Sequence, residues 1–258
     1  MTNPTMNRLL ALGLVIAVLT VSACSEADEP AATVGPEETA TVTELDGAVR
    51  AAAATLLDAP GLRVATVFFD FADPEEVVRF DWLEYQSGSD YLVVTNQITP
   101  RDSEATLVVA GQAFSASSTS TWAALGPPET APNEGIEVLA LLVAMTQQTM
   151  LPESDTQQEP RVTRQRDSDG NTLWTLIIPG AEPEVIALGY QWVVAADGAL
   201  KLYRIGSETD PISGASGIVY EFGVADDLER REPPQLNTPL DLGALDIPVS
   251  LDGFNNQE

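Results

Sequence analysis

Histidine is absent from this chain, and cysteine and lysine occur once each, at Cys24 and Lys201. Without an imidazole there is no Ser-His-Asp triad, no histidine general base and no histidine-ligated metal. A lone cysteine excludes an internal disulfide and a thiolate zinc site. Positive charge is also scarce. The 258 residues carry 12 basic side chains against 39 acidic ones, a formal charge of -27. Such a chain repels phosphate backbones, so nucleic acid is not an expected partner. What remains is a carboxylate-based enzyme, a binding protein or a structural module.

The composition is otherwise that of a globular protein, 44% hydrophobic and 20% charged, long enough to bury a sizeable core. The one long apolar run is Leu9 to Leu19, preceded by Arg8 and followed by Thr20-Val21-Ser22-Ala23-Cys24. A positive residue, a short apolar stretch and small residues at its end describe a secretory signal. The run is shorter than the roughly 20 residues of a membrane span. Val21-Ser22-Ala23-Cys24 resembles the lipobox of bacterial lipoproteins. That resemblance implies cleavage after residue 23, lipidation of Cys24 and attachment to the extracytoplasmic face of the cell membrane. Several acyl chains anchor a protein far more firmly than one. Loss of Arg8 makes the mature chain still more acidic, which disfavours contact of the domain itself with an anionic lipid surface.

Residues 24–42 read as a lipidated cysteine and a disordered acidic tether, rich in Pro, Ala, Thr and Glu. A helix then opens, with Thr43 as cap and Asp46 as its capping-box partner. Leu45, Val49, Ala52, Ala53, Leu56 and Leu57 form one helical stripe, and Pro60-Gly61 ends it. Strand-like runs follow at 63–71, 77–83, 91–98, 105–110 and 113–117. They alternate with turn signals and have no helical crossovers, which describes an antiparallel meander. Residues 136–147 read as a second helix, apolar nearly all round and therefore buried on more than one side. Asp167-Ser168-Asp169-Gly170-Asn171 and Asp197-Gly198 are hairpin turns between strands at 161–166, 172–178, 185–196 and 199–206. A last strand spans 216–224, and a Pro-punctuated exit follows.

This order of elements resembles the LppX/LprAFG family of actinobacterial lipoproteins, related in architecture to the periplasmic carrier LolA. The local pieces that match are Val109-Ala110-Gly111-Gln112-Ala113-Phe114 leading to Trp122, and the Trp192 strand with its Asp197-Gly198 turn. A third is Ile218-Val219-Tyr220-Glu221-Phe222 running to Glu232-Pro233-Pro234. The resemblance covers residues 43–235 and leaves 236–258 as an irregular C-terminal extension. It implies an α+β fold, a strongly curved antiparallel half-barrel whose concave face is covered by helices. Between sheet and helices such proteins hold the acyl chains of lipids or lipoglycans.

Phe69, Phe71, Phe80 and Trp82 on the sheet, facing Leu139, Leu142 and Val143 on the second helix, are the expected lining of such a cavity. The same layer could equally pack dry. No catalytic residue, metal or cofactor is expected, and the domain is expected to be monomeric. The acidic run at 167–171 lacks the distal acid of a calcium loop. Acid pairs such as Asp70 with Asp73, or Asp81 with Glu84, read as solvated surface groups and not as a hydrolase dyad. Ser213-Gly214-Ala215-Ser216-Gly217 reads as a loop. The expectation is a non-enzymatic lipoprotein that binds or ferries lipid. The alternative is an interaction or sensory lipoprotein with a solid core.

Overall fold

The computed structural model describes residues 35–69, 77–86, 90–97, 102–132, 136–147, 159–178, 188–207, 217–226, 228–229 and 231–245. Cys24, the secretory signal, most of the expected tether and residues 246–258 lie outside them, as do Phe71 and the Asp70–Asp73 pair.

The chain begins with β1 (Glu38–Ala40) and α1 (Val42–Leu57). A meander follows: β2 (Gly61–Phe69), β3 (Val77–Gln86), β4 (Tyr91–Gln97), β5 (Asp102–Val109), β6 (Gln112–Ser117) and β7 (Ala123–Gly126). One 3-10 turn at Pro128–Thr130 precedes α2 (Glu137–Gln147). The second meander is β8 (Arg161–Arg166), β9 (Thr172–Ile178), β10 (Leu188–Val194), β11 (Leu200–Ser207) and β12 (Ile218–Val224). All twelve strands join one open antiparallel sheet in the order β1-β8-β9-β10-β11-β12-β2-β3-β4-β5-β6-β7. The first meander is thus added, through β2, to the far side of the second.

Two expectations at the N-terminal end change. Glu38, Thr39 and Ala40, placed in the tether, pair with Arg164, Thr163 and Val162 as an edge strand. The helix starts earlier than Thr43. Thr41 is its cap, and Thr41 and Glu44 form the capping box, with Glu44 N–H donating to Thr41 Oγ1 at 3.2 Å and Thr41 N–H donating to Glu44 Oε2 at 2.8 Å. Thr43 and Asp46 repeat the same spacing two residues on, so spacing alone does not choose between the frames. Here the helix continues into Val42, which packs partly buried against the core.

Alternation along the strands builds two separate cores. On one face, α1 and α2 cover Leu62 and Val64 of β2, Leu83 of β3 and the inward residues of β8 to β12. On the other face, Ala65 and Val67 of β2, Phe80 and Trp82 of β3 and Leu107 of β5 form a second cluster with Trp122. Leu240, Leu242 and Leu245 pack onto it. Buried positions in β2 run almost without a break, so this strand is apolar on both sides. To one side of it the sheet buries its helix-covered face, and to the other it mainly buries the reverse.

The C-terminal stretch is irregular, as expected, yet it is part of the fold. Trp122 N–H donates to the Thr238 carbonyl at 2.9 Å, Asn237 N–H donates to the Trp122 carbonyl at 3.0 Å, and Thr121 bridges Pro239. The boundary at residue 235 therefore cuts through a packed segment. Its leucines are separated by proline, glycine and aspartate, which disguises them as an exit sequence.

Candidate functional site: the helix-covered aromatic face

The helix-covered face carries a run of stacked rings across β10, β11 and β12. Tyr190 and Trp192 lie 6.0 Å apart between ring centroids, Trp192 and Tyr203 5.4 Å, Tyr203 and Tyr220 5.8 Å, and Tyr220 and Phe222 6.4 Å. Strand register produces this. Trp192 is opposite Trp174 on one side and Tyr203 on the other, and Tyr203 is opposite Tyr220. Aromatic pairs at cross-strand positions stabilise a sheet beyond their area alone.

The same register row continues past the rings. Tyr220 is opposite Thr66, Thr66 opposite Asp81, Asp81 opposite Thr95 and Thr95 opposite Glu104. One line of side chains therefore passes from aromatic to polar at β2. Asp81 is paired with Arg79 at 2.7 Å, and the Arg79 guanidinium also sits 4.9 Å above the Phe68 ring. At the other end, Arg164 lies 6.0 Å from the Trp174 ring and is bound to Glu38 at 2.9 Å.

Burial sets the electrostatics of the rings. It pushes the Tyr203 hydroxyl far above its ordinary range, and neighbouring Tyr190 and Tyr220 push the same way. Burial also raises Tyr220, helped by the carboxylates of Glu137 and Asp81 and opposed by Arg79. Tyr190 and Tyr91 are raised by burial alone. Trp192 is 2% exposed, and its Nε1–H has no hydrogen-bond partner among the described residues. Gln191, pointing to the opposite face, is likewise buried, with neither amide atom bonded among the described residues.

The structure does not bring the expected lining residues together. Phe69, Phe80 and Trp82 belong to the second cluster, on the face away from α1 and α2. Leu142 is fully buried in the first cluster, Leu139 packs partly buried against it, and Val143 is exposed. The alternation of β3 was readable, but alternation gives two faces without saying which one meets a helix. The helices instead meet Leu83 on β3 and the five-ring ladder. That ladder has its own signal: Tyr190/Trp192 and Tyr220/Phe222 are spaced by two, with Tyr203 across the Asp197-Gly198 turn.

The acid pair at 81 and 84 also needs correction. Asp81 and Glu84 are both buried, each against an arginine, and not solvated. Three residues apart in a strand, they point to opposite faces, so they form no dyad. The turn at 167–171 is a hairpin turn as expected, with Asp167 Oδ1 accepting from the backbone of Asp169 and Asn171, both at 2.9 Å. Among the described residues, no group of three acids or other ligands could hold a metal ion, and no helix is long and apolar enough to cross a membrane.

A pocket of about 20 Å³ lies at the end of β3, lined by Glu84, Tyr91, Val108, Leu228 and Arg231 among others. That is room for about one water molecule, whereas small-molecule sites run to about 300–1,000 Å³. No protein-family model matches the chain, and no curated protein sequence does.

Proposed function

We propose that this chain is a cell-envelope lipoprotein, anchored through Cys24, that binds lipid or glycolipid acyl chains between its sheet and its two helices. The observation that carries the reading is the aromatic ladder beneath those helices. A broad apolar sheet face covered, among the described residues, by two helices is a surface that hydrocarbon can share. On this proposal the helix-covered face is the concave one of a half-barrel. The second helix is the movable cover. It packs chiefly against α1, is apolar nearly all round, and leaves Val143 exposed. An acyl chain would take its place over the rings, with no bond made or broken. The anchor would hold the acidic domain beside the membrane against its own charge.

A second reading is an interaction lipoprotein with a solid core and no lipid cargo. The complete burial of Leu142 and Met145 of α2 and of Trp192 on the sheet, all in one cluster, favours it. Native mass spectrometry separates the two. The mature Cys24→Ala chain, residues 24–258, contains every described strand and helix and lacks the anchor. Co-purified lipid, lost on delipidation and regained on addition of diacyl lipid, supports the first reading. Repeated failure to find or load lipid supports the second.

A further inference from the structure

Resting on the lipid-binding reading, we propose that the bound lipid is ester-linked and that Trp192 donates its indole N–H to an ester carbonyl. Trp192 sits near the middle of the ladder, between Tyr190 and Tyr203, on the face covered by α1 and α2. Its ring is buried, and its one polar atom is unsatisfied among the described residues. Indole nitrogen can only donate. A buried donor left unpaired is costly, and the usual resolution is an acceptor from protein, water or ligand.

The chemistry of the surroundings selects the acceptor. A pure hydrocarbon offers none. A free carboxylate would need a cation to offset its desolvation. The cation flanking this part of the row is Arg164, already engaged by Glu38 at 2.9 Å and by Glu44 at 3.9 Å. A neutral carbonyl is what remains. It carries a strong acceptor into an apolar site without a charge, and in a diacyl lipid it lies where the chains meet the headgroup. Acyl chains would then run along the rings, while the headgroup side faces the polar continuation of the row at Thr66 and Asp81.

The test uses the delipidated mature Cys24→Ala chain with two probes of equal chain length, dipalmitoylglycerol and its dihexadecyl ether analogue. The chain has four tryptophans, so the Trp192 indole resonance can be identified in a ¹⁵N–¹H spectrum from its loss in Trp192→Phe. The expected result is a downfield shift of that indole proton with the ester probe and not with the ether. The ester should also bind about five- to tenfold more tightly, the size of one net neutral hydrogen bond. Trp192→Phe should bring the two affinities together. If that variant does not fold, the unsubstituted chain's indole shift and ester-to-ether ratio decide alone. Equal binding of both probes with an unmoved indole resonance overturns the inference and leaves lipid binding standing. Binding of neither probe overturns both.

Discussion

The carboxylate of Glu84 and the guanidinium of Arg231 meet at 2.7 Å on the sheet face away from the helices. The other carboxylate oxygen accepts from Trp82 Nε1 at 3.3 Å, while Arg231 also donates to the Leu245 carbonyl at 2.8 Å. One ion pair thus ties a core tryptophan to the C-terminal segment. Arg231→Met should leave Glu84 buried without its charge partner and cost about 2–3 kcal/mol, at the low end for buried pairs because Arg231 is partly exposed. Glu84→Gln should cost less, since it leaves no bare buried anion. Urea unfolding of both variants checks the order, and a cost below about 0.5 kcal/mol for Arg231→Met would show the pair to be a surface contact in energetic terms.

Deleting residues 236–258 should do more. It removes Leu240, Leu242 and Leu245 from the second cluster and the backbone bonds to Trp122. Three half-buried leucines at about 1 kcal/mol or more each, with the backbone bonds to Trp122, are a large share of the roughly 5–15 kcal/mol that holds a domain folded. The expected outcome is a truncated chain with strong binding of a hydrophobic dye and a lowered or absent thermal transition. An unchanged transition would show that the segment is an appendage.

The buried tyrosines predict behaviour in alkali. Tyr203 has a folded pKa raised above its unfolded value of about 10. Its neutral form is therefore favoured by folding. That contribution is complete below pH 10 and is lost as pH rises beyond it. Tyr91, Tyr190 and Tyr220 shift the same way. At pH 11 the native chain should show fewer than its five tyrosines ionised by ultraviolet absorbance, whereas the urea-unfolded chain titrates all five near pH 10. Ionisation of all five at pH 11 to the same extent as in the unfolded chain, with the circular dichroism unchanged, would contradict the burial of the ladder.

The two faces also predict a separation of stability from binding. Phe80→Ala removes a buried ring from the face remote from the helices and should cost about 3–5 kcal/mol. The fraction that stays folded should still bind diacylglycerol with unchanged affinity. Leu142→Ala, on the buried side of α2, should change both the stability and the affinity. Equal affinity losses in the two variants, measured on folded protein, would remove the distinction between the faces.

Much of this architecture was legible along the chain. The second helix, the two hairpins of the C-terminal meander and the strands from β2 to β6 fall within a few residues of their turn signals. Gly61 shows why such signals work. A side chain there would run into the Ala225 carbonyl, so the end of α1 and the start of β2 are fixed by a close approach. The strands β1 and β7 were not legible, because both are short, lie at the sheet edges and lack an apolar alternation. The site was legible in composition but not in assignment. Phe80 and Trp82 were visible as an alternating pair, yet which cover each face receives depends on contacts between residues more than a hundred positions apart. Trp192 was visible as a strand tryptophan, but its unpaired N–H exists only in the packed structure.

The doubly buried β2 has a consequence for how the protein is made. The seam between β2 and β12 joins residues such as Phe68 and Ile218, and the covers are exchanged across it. The N-terminal β1 and α1 complete the part of the sheet formed by β8 to β12, whereas residues 231–245 complete the part begun by β2. Neither stretch of a growing chain can therefore finish its own core. A nascent protein that has reached β7 exposes the Phe80 and Trp82 side until Leu240, Leu242 and Leu245 emerge. Stable folding must then wait until residues 231–245 have been added, which leaves the growing chain with uncovered apolar surface for most of its synthesis.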